Sequence, residues 1–160
     1  MNLDTLISSN AVISNFEIKS KKRALELLAE HLATEATQAN HSTETIDALK
    51  VFQLLLDREK LGSTSMGHGV ALPHARTELT EKAIGAFLKL DRGIDFDSPD
   101  DQKTDLIFAL LVPRHYTDEH LKILAQLASQ FSDEKFCKTL RDTNDKEGIY
   151  NNLINQGTSE

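Results

Sequence analysis

The residues best suited to chemistry lie between Arg58 and Arg76, and His74 is the most distinctive of them. It follows Pro73 at the end of a short apolar segment that predicts a strand, and residues at strand ends often carry function in α/β sheets. If one ring nitrogen accepts a phosphoryl group, the other must keep its proton, most simply against a backbone carbonyl. The pattern is compatible with a phosphoryl acceptor, but a histidine near a glycine-rich turn is more often an ordinary loop residue.

A phosphoryl group on His74 would need hydrogen-bond donors, and nearby residues can supply them. Arg58 offers a fixed positive charge, Ser63 and Thr64 offer hydroxyls, and the turn around them offers backbone N–H groups. His120, in the predicted first turn of a helix, is the best candidate for a second imidazole beside the phosphate. A helix N-terminus favours an anion, whereas the acidic residues at 118 and 119 oppose one. Phosphoryl transfer depends mainly on such positioning and charge stabilisation.

The other histidines and the acidic segments do not predict a metal site. His68 and His74 lack the usual close spacing of metal ligands, and the acidic run at 95–101 lacks the residues that complete a calcium loop. His68, between two glycines, is either simply exposed or able to alter the charge near His74. We interpret the remaining histidines as surface residues, namely His31, His41 and His115, the last of which could border the site.

The source of the phosphoryl group can also be narrowed. The chain contains no nucleotide-binding loop of the Gly-x-x-x-x-Gly-Lys-Ser/Thr type and no kinase signature. A phosphorylated protein is therefore the expected donor, and no cofactor is predicted. The single cysteine, Cys137, lies in a predicted helix and is interpreted as a packed structural thiol, because free cysteine behaves as a small buried hydrophobe.

Helical periodicity and turn signals predict the elements that must position these residues. A first helix follows Ser20, a second is capped by Ser42 or Thr43, and a turn-rich stretch covers 62–69. A short strand is possible at 11–13, and two clearer strands are predicted at 83–90 and 105–112, the second apolar enough for burial on both faces.

Three further helices are predicted after the strands. The first follows Thr117, the second follows Asp133, and the last begins at Asn144. In the second helix of the chain, the apolar positions at helical spacing are Ile46, Leu49, Phe52 and Leu56. In the helix after Thr117, the apolar residues assigned to the buried side are Leu121, Leu124, Leu127, Ala128 and Phe131.

This order of elements favours the α/β fold class. Helices on both sides of a fully buried strand suggest a three-layer α/β/α sandwich with a mixed β-sheet. The two consecutive strands have no helix between them and are expected to pair antiparallel. The length of 160 residues predicts a single domain over 1–160, with a core of about 3–154.

Composition limits the partners. The formal charge is 18 − 25 = −7, which argues against binding to nucleic acid and suits basic protein partners. The longest apolar run, at 106–112, falls far short of the ~20 residues of a membrane-spanning helix. No export signal is recognised, so a cytoplasmic location without membrane insertion is expected. The basic residues at 21–23 are interpreted as a solvated helix face, with a docking patch for an acidic partner as the alternative.

The segment at 61–74, LGST followed by GxGxAxPH, resembles the phosphorylation segment of IIA domains of the mannitol/fructose class. These domains belong to the bacterial phosphoenolpyruvate-dependent phosphotransferase system. Arg58-Glu59, the strand at 106–113 and the helix start at His120-Leu121 are similar to the same class, and the resemblance covers roughly 3–154. The run at 108–113 and the absence of fused transport or carrier domains make the chain most similar to the stand-alone nitrogen-regulatory members.

The resemblance implies that His74 accepts a phosphoryl group from a phosphorylated HPr-like carrier protein, that His120 supports the phosphate and that Arg58 lies at the site. It also implies regulation of downstream target proteins, with phosphorylation as the switch, and a phosphoryl carrier rather than a free-standing turnover enzyme. His68 departs from the family pattern, which often has Asn between the glycines.

Three alternatives stay open. One is a sugar-transport IIA component that passes the phosphoryl group to a IIB domain. Another is an anion- or peptide-binding module in which His74 is never phosphorylated. A metal-dependent hydrolase is the third and weakest.

Overall fold

A computed structural model describes residues 3–14, 17–40 and 44–155. Within these residues the chain forms five α-helices and six β-strands. The helices are α1 (Lys21–Ala39), α2 (Ala48–Lys60), α3 (Asp118–Phe131), α4 (Glu134–Asp142) and α5 (Lys146–Asn155). The strands are β1 (Val12–Ser14), β2 (Ser65–Gly67), β3 (Val70–Ala71), β4 (His74–Thr77), β5 (Ile84–Ile94) and β6 (Thr104–Pro113).

All six strands join one mixed sheet. Its hydrogen-bonded order is β1-β5-β6-β3-β2, and β4 also pairs with β6. The long strands β5 and β6 pair antiparallel, as the sequence predicts, with Phe87 opposite Phe108. The short strands β3 and β4 both lie parallel to β6, one after the other along the same edge. This arrangement puts the segment between Val70 and Thr77 beside β6, a long strand in which all residues but one are buried.

Helices cover both faces of the sheet, which confirms the predicted sandwich. Phe131 of α3 stacks on Phe87 with ring centroids 6.0 Å apart, and it lies 6.1 Å from Phe108. On the same face the Lys89 ammonium donates to the carbonyls of Arg141 and Thr143 at the end of α4. The helices α1 and α2 pack on each other and against β5 and β4. Since β6 is buried along its whole length apart from one half-buried residue, α1 and α2 must cover the other face.

The helix starts agree with the sequence except in the second helix. Ser20 caps α1 by accepting from the Arg23 backbone N–H, and Asp133 caps α4. The second helix was predicted to start at Ser42 or Thr43, which lie outside the described residues. It begins instead at Ala48, where the Asp47 carboxylate accepts a hydrogen bond of 2.9 Å from the Leu49 backbone N–H. Aspartate is as effective an N-cap as serine. The helix therefore starts after Asp47, the capping residue that directly precedes its first turn.

Two leucines expected on apolar helix faces point to solvent. Leu121 is 63% exposed and Leu49 is 70% exposed. In α3 the buried residues Ile123, Leu127 and Phe131 recur every four positions. Leu121 lies two positions before Ile123, about 200° away around the helix. The assignment of Leu121 to the buried side is therefore wrong.

Cys137 is buried in α4 and its Sγ donates to the Phe131 carbonyl oxygen at 3.1 Å. Burial raises the pKa of this thiol, which keeps it in the unreactive protonated form. Its interpretation as a structural thiol is confirmed.

Candidate functional site

His74 is the first residue of β4, where the chain resumes pairing with β6 after the short strand β3. The Leu110 backbone N–H donates to the Pro73 carbonyl oxygen at 2.9 Å and fixes this junction. The imidazole of His74 is half-buried, and its Nδ1 lies 2.8 Å from the Leu72 carbonyl oxygen. Because a carbonyl oxygen only accepts, Nδ1 carries the proton and Nε2 keeps its lone pair.

His120 lies beside His74, as the third residue of α3. The two ring centroids are 5.9 Å apart, and the planes are tilted by 52°. Among the described residues, the Nε2 atom of His120 is buried and has no hydrogen-bond partner. Buried polar atoms in proteins usually have a hydrogen-bond partner, so this nitrogen is able to hold a group bound beside His74.

The side chain of Arg76 connects β4 to the loop that leads into α3. Its Nη2 donates to the carbonyl oxygens of Arg114 and Tyr116, at 2.5 and 2.9 Å. That loop ends at Thr117, three residues before His120. The guanidinium therefore holds the start of α3 against the strand that carries His74.

Arg58 approaches the site from the last turn of α2. Its Nη1 donates to the Gly62 carbonyl oxygen at 3.0 Å, which holds the side chain over the turn after the helix. The positive charge of Arg58 lowers the pKa of His74. A guanidinium placed in this way is suited to an anion on the imidazole.

Both imidazoles favour the neutral form. Desolvation by burial is the largest cause lowering the pKa of His74, and the charges of Arg58 and His120 act in the same direction. The hydrogen bond to Leu72 and the charge of Glu59 oppose this lowering without cancelling it. Desolvation and then the charge of Arg76 lower the pKa of His120. At neutral pH the lone pair on Nε2 of His74 is thus available as a nucleophile.

The two hydroxyls proposed as phosphate donors have other partners. Ser63 Oγ donates to the Phe96 carbonyl oxygen at 2.6 Å. Thr64 Oγ1 donates to a carboxylate oxygen of Glu59, and the other oxygen of Glu59 accepts from the Thr64 backbone N–H at 3.2 Å. Both hydroxyls belong to the turn beside Arg58, but their protons are directed into the protein.

Glu59 and Lys21 also belong to the site, although neither was predicted from the sequence to lie there. Lys21 Nζ lies 2.9 Å from Glu59 Oε1 and 3.1 Å from Asp97 Oδ2. The same ammonium lies 4.8 Å from the centroid of the Phe96 ring. The interpretation of Lys21 as part of a solvated face is therefore wrong. The available signal was the position of Glu59 four residues after Leu55, on the buried face of α2.

His68 lies apart from His74. It occupies the exposed tip between β2 and β3 with φ of 55°, and its backbone N–H donates to Asp100 at 2.8 Å. The neighbouring Gly69 carbonyl accepts from the Leu106 N–H, whereas His74 pairs with Leu110. At the rise of a β-strand this separates the two histidines by roughly 13–16 Å.

Neither His115 nor His31 belongs to this cluster. His115 is exposed and packs edge-on against Tyr116, with ring centroids 5.1 Å apart. His31 is half-buried on α1. His41 lies outside the described residues.

The described part of the chain holds neither a group of metal ligands nor a membrane-spanning helix. Within 3–14, 17–40 and 44–155, no three His, Cys, Asp or Glu side chains are grouped so that they could hold a metal ion. No helix in these ranges is long and apolar enough to cross a bilayer.

Fold and site together define an α/β sandwich with a paired-histidine site at the edge of its mixed sheet. A family model described as "Phosphoenolpyruvate-dependent sugar phosphotransferase system, EIIA 2" matches residues 5–156. The chain belongs to this family.

Individual relatives show which members of the family the chain is similar to. A nitrogen regulatory protein of Bradyrhizobium diazoefficiens is 41% identical over 153 residues, which cover 96% of this chain and 95% of the relative. The crystal structure of nitrogen regulatory protein IIA-Ntr from Neisseria meningitidis matches with a TM-score of 0.84 at 34% identity, covering 94% of this chain and 98% of that one. A fructose-specific EIIA component of Haloferax volcanii is 33% identical over 130 residues, covering 81% and 80%.

Proposed function

We propose that the chain is a histidine phosphocarrier of the phosphoenolpyruvate-dependent phosphotransferase system. In this proposal His74 accepts a phosphoryl group from an HPr-like protein, and its phosphorylation state regulates partner proteins in nitrogen or metabolic regulation. The observation that carries it is the pair of imidazoles: Nδ1 of His74 is held by the Leu72 carbonyl, and His120 leaves a buried, unpaired nitrogen beside it. The relatives named nitrogen regulatory protein support the regulatory part.

The transfer step needs no proton to leave His74. The lone pair on Nε2 attacks the phosphorus of a phosphohistidine on the carrier, and the new N–P bond forms as the carrier's N–P bond breaks. The electron pair of the broken bond returns to the carrier imidazole, whose other ring nitrogen carries a proton, so that the carrier leaves as a neutral ring. The product ring keeps its proton on Nδ1, where the Leu72 carbonyl oxygen already accepts it at 2.8 Å. The protein therefore contributes position and charge rather than covalent chemistry.

Arg58 and His120 are the phosphate donors in this proposal. Arg58 supplies a permanent charge, and His120 supplies the ring nitrogen that lacks a partner in the unphosphorylated protein. Ser63 and Thr64 instead fix the turn beside the phosphate, because their hydroxyls already donate to Phe96 and Glu59.

The apolar surface for the carrier differs from the one suggested by the sequence. The apolar residues that precede His74 in the sequence include Met66, Val70 and Leu72, but Val70 and Leu72 are buried. Leu61 follows the helix that carries Arg58 and is 84% exposed, and Leu121 follows His120. These two leucines, on either side of the site in the sequence, are the proposed apolar contacts.

The wider expectations remain part of the proposal. We place the protein in the cytoplasm as one domain, with phosphorylated carrier and downstream target proteins as partners and no nucleic acid. Phosphorylation adds about −1.5 to −2 charge by analogy with other phosphorylated side chains. On a chain with a formal charge of −7, this change alters which protein surfaces bind.

The direct test is phosphorylation with purified components. Phosphoenolpyruvate, a first-stage phosphotransferase enzyme and the carrier should place acid-labile phosphate on the wild-type chain and none on His74→Ala. His31→Ala serves as the matched control, since His31 lies on α1, which carries none of His74, His120 and Arg58. Acid-labile phosphate on the His74→Ala variant would overturn the assignment.

The sugar-transport alternative predicts a different fate for the phosphoryl group. Phosphorylated wild-type chain should then pass its phosphoryl group rapidly to a IIB domain. Retention of the phosphoryl group in the presence of IIB domains of the mannitol and fructose systems supports the regulatory function.

A further inference from the structure

Glu59 is a buried carboxylate beside the phosphorylation site. Its side chain is only 3% exposed, and it accepts hydrogen bonds from the Thr64 backbone and hydroxyl as well as from Lys21. An ionised carboxylate out of contact with water needs such partners, because desolvation of a charge is costly. The contacts show how Glu59 is tolerated, but they do not explain why a charge is placed there.

The position of Glu59 brings its charge to bear on His74. It follows Arg58 directly in α2, and it holds Thr64, which stands two residues after the carbonyl that Arg58 contacts. Its charge acts on His74 in the opposite direction to the charges of Arg58 and His120. The site therefore combines groups that attract an anion with one buried group that repels it.

We propose that Glu59 is a positioning residue that weakens the hold of His74 on its phosphoryl group, so that the group remains transferable. Its fixed negative charge repels the phosphoryl group, and its hydrogen bond with Thr64 keeps that hydroxyl away from the phosphate. The inference rests on the proposed phosphorylation of His74 and assigns a role to a residue that does not touch the reacting atoms.

The substitution Glu59→Gln has a predictable direction. It removes the repelling charge while preserving the shape of the side chain. It leaves the ammonium of Lys21 with less compensation, and it frees the hydroxyl proton of Thr64. All three changes stabilise a phosphate on His74, so the equilibrium should shift toward the phosphorylated form of the chain.

A purely structural role for Glu59 predicts the opposite result. If the carboxylate only holds the turn between Arg58 and Thr64 together, its loss should displace Arg58 and reduce phosphorylation. The sign of the effect thus separates the two roles.

The experiment measures the equilibrium partition of the phosphoryl group between the carrier and the full-length chain at pH 8. We expect Glu59→Gln to shift the partition toward the chain by at least about threefold. The interaction energy of two unit charges several ångströms apart near a protein surface is large enough to produce such a shift. Asp57→Asn is the matched control, because it removes an exposed carboxylate from the same helix. It should leave the partition within about a factor of 1.5 of wild type.

A second variant covers the case in which Glu59→Gln does not fold. Lys21→Gln removes the partner cation and leaves Glu59 in place, so the local charge becomes more negative. We expect its partition to move toward the carrier, the reverse of the shift for Glu59→Gln. Proton NMR titration of His74 without any carrier should show a lower pKa in Glu59→Gln, because the charge that raises it is gone.

These readouts separate the two hypotheses. Absence of phosphate on the wild-type chain would contradict the proposed function itself. Phosphate on the wild type with an unchanged or reduced partition in Glu59→Gln, or an unchanged partition in Lys21→Gln, would overturn the role of Glu59 alone.

Discussion

In the proposed function, the geometry around His74 already suits phosphoryl transfer in the unphosphorylated protein. The Leu72 carbonyl fixes the tautomer, and the tilted ring of His120 lies 5.9 Å away. Preorganised groups of this kind avoid reorganisation during the reaction, which is a major source of catalytic rate. The pKa values of the two rings therefore provide a test of the described site.

The pKa of each ring should lie below the ordinary value of about 6.5. Burial lowers both values, and Arg58 and His120 lower that of His74 further. Arg58→Gln and His120→Ala should therefore raise the pKa of His74. Two-dimensional NMR of the imidazole protons between pH 4.5 and 8.5 measures all three proteins, and a His74 midpoint above 7 in the wild type would contradict this site.

The same shifts predict how acid affects stability. Because each folded-state pKa lies below the unfolded value, the unfolded chain binds protons first as the pH falls. The free energy of unfolding should decline as the pH drops from about 6.5 toward the folded-state values. Urea unfolding at a series of pH values should show a smaller decline in this window for His74→Gln than for the wild type.

Arg76 supports His120 through the backbone rather than through the imidazole. Its Nη2 donates to the carbonyls of Arg114 and Tyr116. Arg76→Gln should lower the rate of phosphoryl acceptance by about tenfold or more, since small displacements of reacting groups are costly. It should also raise the pKa of His120, because the charge of Arg76 lowers it.

Arg114→Gln provides the comparison for Arg76. Arg114 is exposed, and its carbonyl, which the substitution keeps, accepts from Arg76. If both substitutions lowered the rate of phosphoryl acceptance equally, the effect would come from the loss of positive charge in this region and not from the contacts of Arg76.

The sequence could identify the residue types of the site but not all of their contacts. His74, His120 and Arg58 come together as the family resemblance implied. Ser63 and Thr64 lie in the predicted turn, yet their hydroxyl directions depend on Phe96 and Glu59. Phe96 is 33 positions from Ser63, and a contact over such a distance leaves no periodic signal in the chain.

Among the elements, the long strands and the short strand β1 were predictable, whereas the pairing of the short strands β3 and β4 was not. Apolar patterning located the start of α1 and both ends of β5 and β6 to within four residues. The strands β3 and β4 contain two and four residues, and their pairing with β6 depends on tertiary packing rather than on local preference. The structure consequently places His74 at the start of a strand, whereas the sequence placed it at the end of one.

The ends of α2 and α3 present the surface proposed for the carrier. Leu61→Ser and Leu121→Ser should each raise the KM for the phosphorylated carrier by roughly three- to tenfold, because each loses an apolar contact. The thermal unfolding midpoint should stay nearly unchanged, since both side chains are exposed.

Leu49→Ser is the matched control for these variants. Leu49 is also exposed and lies in α2, but it is 12 residues before Leu61, which is about 18 Å along a helix. A KM for Leu49→Ser as high as that for Leu61→Ser would contradict the proposed surface.

At the scale of the whole molecule, a rigid core supports a site at its edge. Phe131 packs against Phe87, Phe108 and Phe136, and it joins α3 to both long strands. Phe131→Ala should lower the free energy of unfolding by about 3–5 kcal/mol, as expected for loss of a large buried side chain. Urea denaturation measures this change, and a loss below about 1 kcal/mol would contradict the described packing.

The most direct measurement of the central claim is the location of the phosphoryl group on the wild-type protein. Phosphorus and nitrogen NMR of the chain, phosphorylated through the carrier, should show one phosphohistidine at His74 with phosphorus bonded to Nε2 and a proton on Nδ1. Phosphorus on Nδ1, or on any residue other than His74, would contradict the account.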